Sequence, residues 1–168
     1  MEISPATQAS GNEFSRHLKT YKVFNRKALA QITTAITSSE LGHSGQIRFV
    51  VETSLPLSHL LKNITPRKRA IEVFSKLGVW DTEQNNGVLI YLLISEKVIE
   101  IVADRGISTR VNSDFWHEIC HLLRDKFKVG AFEDGVLEAI FEVDQVLRRE
   151  YPNSEISPNE LPDSPVIL

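Results

Sequence analysis

The sequence predicts an α/β fold, a three-layer α/β/α sandwich around a small mixed sheet. Three observations carry that expectation. Segments of helical and strand periodicity alternate along the chain in the order α-β-α-β-β-α-α. Residues 88–94 (VLIYLLI) are apolar without a break, the pattern of a strand covered on both faces. A strand–helix–strand unit needs a right-handed crossover and a parallel pair, whereas the tight turn Ser95-Glu96-Lys97 folds a third strand back antiparallel.

Each element has its own signal. Phe24, Ala28, Ile32, Ala35 and Ile36 recur at helical spacing, so residues 25–40 read as an amphipathic helix stopped by Gly42. The β-branched stretch 46–53 reads as the first strand, followed by a polar loop. Thr65-Pro66 is an N-cap hydroxyl with proline at the first helical position, where its missing N–H costs nothing. Ala70, Ile71, Phe74 and Leu77 line one face of that second helix, and Gly78 ends it. Residues 80–86 form a polar loop, 88–94 the second strand and 98–103 the third, which Asp104-Arg105-Gly106 terminates. Two helices follow, 113–127 and 132–150, parted by Gly130.

The chain has 168 residues, which accommodates one core. That core is assigned to residues 13–151, with residues 1–12 as a loose lead-in. Residues 152–168 hold four of the seven prolines, three acids and no base, so they run extended over the surface. The terminal Pro165-Val166-Ile167-Leu168 is apolar enough to dock in a groove, on this domain or on a partner's; an unstructured tail is the plain alternative. Lys and Arg number 19 against 22 Asp and Glu, a balance unlike the basic stripe of a nucleic-acid-coating protein. The lone Cys120 excludes an internal disulfide and a Cys-rich zinc site. The run 88–94 is far too short to cross a bilayer, and the first twenty residues show no apolar stretch behind a basic start. A cytoplasmic address with no transmembrane segment is the expectation.

The chemistry-bearing motifs need weighing. His117-Glu118-Ile119-Cys120-His121 spells H-E-x-x-H, the zinc-peptidase pattern. No third ligand follows at a recognised spacing, so Glu138 or Glu142 would have to be chosen by hand. Phe115, Trp116, Ile119, Cys120, Leu123 and Phe127 form the buried stripe, which leaves both histidines on the wet face. A solvated helix face is the better reading, no zinc is expected, and Cys120 reads as core. Without a Walker loop, a G-x-G-x-x-G or a nucleophile elbow, no nucleotide cofactor or hydrolase triad is indicated.

Two charged clusters remain. Asp104 closes the third strand beside the start of the second, where Asp81, Glu83, Asn85 and Asn86 enter, and Glu40 and His43 can approach from the first strand. Carboxylates with amide oxygens suit Ca²⁺ or Mg²⁺, although turn and cap formation explains the same residues. At the opposite end, Arg67, Lys68 and Arg69 oppose the macrodipole in the first turn of the second helix. An anion held there is one reason to tolerate them; the low cost of exposed charges is the other.

From about residue 43 to 151 the chain resembles the TPM domain, named for a thylakoid lumen protein, a photosystem II repair protein and a receptor modulator. The resemblance rests on Gly45-Gln46-Ile47, Asn85-Asn86-Gly87-Val88-Leu89, Asp104-Arg105-Gly106-Ile107 and the turn at residues 127–135 (FKVGAFEDG). It is most similar to a soluble bacterial branch, which shares the closing NELPDSPVIL. Where many relatives read Gly-Tyr-Gly after the third strand, this chain has Asp104-Arg105-Gly106. The resemblance implies an α/β/α sandwich and a calcium or related divalent-ion site near the strand ends, with Asp104 and Asn86 best matched and Asp81 next. An interaction or quality-control module working beside membrane proteins, with a protein as its partner, is the favoured expectation. A weak metal-assisted acid phosphatase, with Asp104 and Asp81 holding the ion, is the alternative, since a plant member is described as one. A general base or nucleophile for it is not evident, so the catalytic residues stay unassigned.

Overall fold

The apolar run in the middle of the chain becomes a central strand, every residue of which is buried. The structure, a computed structural model, describes residues 18–153 and 158–168. Strand β1 (Gln46–Glu52) and strand β2 (Gly87–Leu93) pair in parallel, with Gln46 opposite Gly87. Strand β3 (Val98–Ala103) folds back antiparallel on β2, with Val88 opposite Ala103. A two-residue strand, β4 (Val166–Ile167), lies parallel on the far side of β1, giving the order β3-β2-β1-β4.

Helices α1 (Arg26–Glu40), α5 (Ser113–Lys128) and α6 (Phe132–Glu150) cover one face of the sheet, on Ile47, Phe49, Val51, Val88, Ile90 and Leu92. Helix α3 (Pro66–Lys76) covers the other, on Val50, Leu89, Tyr91 and Leu93. The alternation of side chains along β1 and β2 feeds both cores, which is why β2 carries no polar residue outside its tyrosine. The expected three-layer sandwich is therefore present. Among the described residues no helix is long and apolar enough to cross a membrane.

Local chemistry accounts for the boundaries. Asn25 caps α1 through the Ala28 N–H at 2.9 Å, Thr65 caps α3 through the Lys68 N–H at 3.3 Å, and Asn112 caps α5 through the Asp114 N–H at 3.1 Å. Gly78 and Gly130, just past α3 and α5, take φ +64° and +81°, the left-handed geometry of a helix end. Gly87 must lack a side chain for a different reason: a Cβ there would lie 2.0 Å from the Val79 carbonyl oxygen.

The structure departs from the sequence reading in its short helices and in the buried faces of α3 and α5. Two short helices, α2 (Leu57–Leu61) and α4 (Arg105–Ser108), occupy what periodicity leaves as loop and strand terminus, because four or five residues cannot display a helical period. Helix α3 buries Arg69, Ala70, Val73 and Phe74, while Ile71 is 48% exposed. The cause is Arg69, whose guanidinium must face Glu52 at the end of β1 and so fixes which side of the helix turns inward. In α5 the buried stripe is Trp116, Ile119, Leu123 and Phe127; Phe115 and Cys120 are half-buried at its edge. The end of the proline-rich tail takes the first of its expected alternatives and docks on its own domain, adding a strand to the sheet. Val166 pairs with Val50 and Ile167 with Val51, and the Leu168 N–H donates to the Val51 carbonyl at 3.0 Å. Gln46 Oε1 accepts from the Glu160 and Leu161 N–H groups at 2.8 and 2.9 Å, and Arg48 donates to the Ser164 carbonyl at 2.9 Å. An edge position with few rungs is what a proline-rich strand tolerates. The expected lead-in, residues 1–12, lies outside the described residues.

Candidate functional site

Parallel pairing of β1 with β2, and antiparallel return along β3, bring three loops to one end of the sheet. The Asp104 N–H donates to the Gly87 carbonyl at 2.9 Å and the Gly106 N–H to the Asn85 carbonyl at 3.0 Å, so Asn85-Asn86-Gly87 and Asp104-Arg105-Gly106 form a laced pair. Asn85 stands at φ +51°, a geometry asparagine tolerates, and its Oδ1 accepts from Arg105 Nε at 3.0 Å. A Cβ on Gly106 would fall 2.5 Å from the Asn85 carbonyl and 3.0 Å from the Tyr151 hydroxyl, so at this glycine the two loops pack directly against each other and against the end of α6. The loop before β1 joins through Ser44, whose hydroxyl accepts from Asn86 Nδ2 at 3.3 Å and donates to Gln84 Oε1 at 3.0 Å.

Within this knot two oxygens stand out. Asp104 uses Oδ1 to cap α4 through the Arg105 N–H at 2.7 Å, while its Oδ2 is buried without a partner among the described residues. The Asn86 side chain is wholly buried, and its Oδ1 likewise has no partner among the described residues. Native proteins rarely leave such acceptors unsatisfied, since each costs on the order of 1–3 kcal/mol. Both atoms are hard oxygen donors. Nearby Tyr151 has its phenol pushed up by burial, with the Asp104 carboxylate adding to the effect, and Arg110 stacks 4.5 Å from its ring centroid.

The other expected ligands do not join them. Asp81 and Glu83 are exposed, and the Glu83 backbone is bound to the Glu160 carboxylate at 2.8 Å. Glu40 accepts from the Ile47 N–H at 2.7 Å, and burial raises its pKa to about 8, which makes it a neutral acid and a poor cation ligand. His43 is buried with Nε2 3.0 Å from Ser39 Oγ and 3.4 Å from Asp144 Oδ1; burial holds its pKa down, partly offset by Asp144. No group of three or more His, Cys, Asp or Glu among the described residues is placed to hold a metal ion. Ser44, Gln84 and Tyr151 are the site residues that sequence reasoning passes over. Lying one to two positions from Gly45, Asn85 and the last helix, they carry no signal of their own.

The basic triplet is already engaged in part. Arg69 makes a two-pronged contact with Glu52, both distances 2.9 Å, and Arg67 donates to the Ile101 carbonyl at 2.5 Å while lying 3.5 Å from Glu100. Only Lys68 of the three is fully exposed. His117, Glu118 and His121 lie on the exposed side of α5, and Glu138 is ion-paired with Lys126. Cys120 is buried enough for its thiol pKa to be pushed up to about 12 by desolvation, with Glu100 adding to the shift. A thiol so resistant to ionisation is no nucleophile.

Fold and loop site together define a class: a small α/β/α domain whose polar end is assembled from the strand termini. The chain belongs to the TPM-domain family, whose model matches residues 19–146. Among solved structures it is similar to the BA42 protein of the psychrophilic bacterium Bizionia argentinensis, at 29% identity, over 86% of this chain and 95% of that one, with a TM-score of 0.76. It also shares the fold of the N-terminal domain of a P. gingivalis protein, at 17% identity, over 79% and 83% of the two chains, with a TM-score of 0.63. Comparison with the curated proteins gives no match.

Proposed function

We propose that this chain is a binding module whose loop end takes a hard divalent cation, Ca²⁺ or Mg²⁺, and presents the surface so ordered to a protein partner. The observation that carries the reading is the pair of buried, unpartnered oxygens, Asp104 Oδ2 and Asn86 Oδ1, on two loops that are laced together. A carboxylate and an amide oxygen are donors that Ca²⁺ and Mg²⁺ accept. One carboxylate is a small charge complement, so the affinity belongs in the weak range, with water completing the shell. Beside these donors the described residues offer no nucleophile paired with a general base, since the Ser44 hydroxyl donates to the Gln84 amide oxygen, and this favours binding over hydrolysis.

The test is an amide-resolved titration of the protein with CaCl₂ and MgCl₂. Expected are shifts confined to residues 81–86 and 104–106, lost in Asp104→Asn, which keeps the cap on α4 but removes the charge. Silence of those amides at millimolar ion overturns the cation site. A generic aryl-phosphate assay runs beside it: metal-dependent turnover abolished by Asp104→Asn overturns the binding-only reading in favour of the metal-assisted acid phosphatase.

A further inference from the structure

The outer edge of the sheet, away from the loop site, has a distinct construction. Because the Asp104 N–H bonds to Gly87, antiparallel alternation turns residues 98, 100 and 102 of β3 toward β2 and turns 99, 101 and 103 outward. Open edges invite pairing with other chains and are normally blunted. Here the Ile101 carbonyl accepts from Arg67, its N–H is directed at the Cys120 sulfur, and the Ala103 carbonyl accepts from the Ser108 hydroxyl at 3.2 Å. Ile99 differs, since neither its N–H nor its carbonyl has a partner among the described residues.

At that unpaired rung, where Ile99 itself is only 4% exposed, the strand forms one wall of a cavity of about 250 Å³. The lining contributed by α5 is a single stripe, His117, Cys120, His121 and Arg124, joined by Phe127. The charge of the groove is lopsided. Lys97 and Arg124 stand on it with the two imidazoles, and its one carboxylate, Glu100, is already 3.5 Å from Arg67. Among the described residues Lys97 donates only to the Lys128 carbonyl and meets no carboxylate, and Arg124 has no ion pair.

We propose that the groove between β3 and α5 captures an extended acidic segment of a partner protein by antiparallel strand addition at Ile99. One residue of the peptide exchanges both backbone hydrogen bonds with Ile99 and directs its side chain into the cavity, on the side to which the Ile99 side chain also points. Residues two before and two after it lie on the same face, where acidic side chains meet Lys97 and Arg124. Backbone pairing supplies the register, and the basic rim supplies the preference for acidic sequences.

The probe is a fluorescein-labelled nonapeptide alternating glutamate and threonine, with valine at its centre, titrated with the full chain and read by anisotropy and amide shifts. Binding is expected to shift the amides of residues 97–100 and 117–124, to persist in EDTA, and to weaken roughly tenfold in Arg124→Glu. Methylating the valine nitrogen removes one of the two paired bonds and is expected to abolish binding without touching the protein. Equal affinity for the lysine-for-glutamate peptide, retained affinity of the methylated peptide, or shifts centred on β1 and β4 each overturn the proposal. So does a stable dimer of the protein that buries Ile99 and excludes the peptide.

Discussion

Removing one side chain from the polar contact under α3 is expected to weaken the whole fold. Glu52 ends β1 with a side chain only 3% exposed, and receives Arg69 through two contacts of 2.9 Å and the Tyr91 hydroxyl at 2.6 Å. Arg69→Met keeps the apolar stem but leaves a buried carboxylate with Tyr91 as its one remaining donor among these. Breaking a buried pair from one side costs on the order of 3–5 kcal/mol, because an uncompensated charge stays behind. For a domain of this size that lowers Tm by roughly 6–20 °C. Urea unfolding followed by circular dichroism measures the loss, and a cycle with Glu52→Gln isolates the pair. The double variant is expected to recover at least about 2 kcal/mol of the summed single losses, since neutralising Glu52 removes the stranded charge. An Arg69→Met loss below about 1 kcal/mol, or additive single effects, would refute the reasoning and return the contact to the class of ordinary surface pairs.

Two further outcomes follow from the titrating groups. Glu40 has a folded pKa of about 8, raised first by burial and also by Asp163, above its unfolded value near 4.5. The folded state therefore holds the extra proton between those values, and this contribution to stability is present at low pH and lost as pH rises toward 8. The slope is up to roughly 1.4 kcal/mol per pH unit, and Glu40→Gln is expected to flatten it while keeping an acceptor for the Ile47 N–H. Unfolding free energies of both proteins at pH 5, 6, 7 and 8 check this; parallel curves would refute it. Cys120, its thiol pKa about 12, is expected to react with iodoacetamide at pH 8 at least about a hundredfold more slowly in the native protein than in urea. Comparable rates would show the thiol to be free.

How much of this was legible beforehand differs between fold and site. The main strands show as β-branched or unbroken apolar runs, and the helices at 26–40, 113–128 and 132–150 are long enough to repeat their period. The short helices at 57–61 and 105–108 are not. Asp104 and Asn86 were readable as a pair because hairpin geometry forces the end of one strand beside the start of its neighbour. Whether Asp81, Glu83, Glu40 and His43 joined them was not, since that depends on which way loop side chains turn. His43 turned to Asp144, far along the chain yet on an adjoining helix. Cys120 shows the same limit at finer scale: helical spacing puts it on the apolar side, but only packing against β3 makes it the cap of an edge N–H.

The sequence by itself determined the layered α/β/α order, the parallel and antiparallel senses of the three main strands, and the end of the sheet where the acids and amides gather. These follow from local periods and from the few connections a chain can make between strands. Only the tertiary structure decided that the proline-rich tail closes one edge of its own sheet, that Arg69 is spent inside on Glu52, and that Ile99 is left open beside α5. Each of those is a choice of partner across a long stretch of chain. Partner choice is set by the competition of every buried polar group for hydrogen bonds, which no local pattern records.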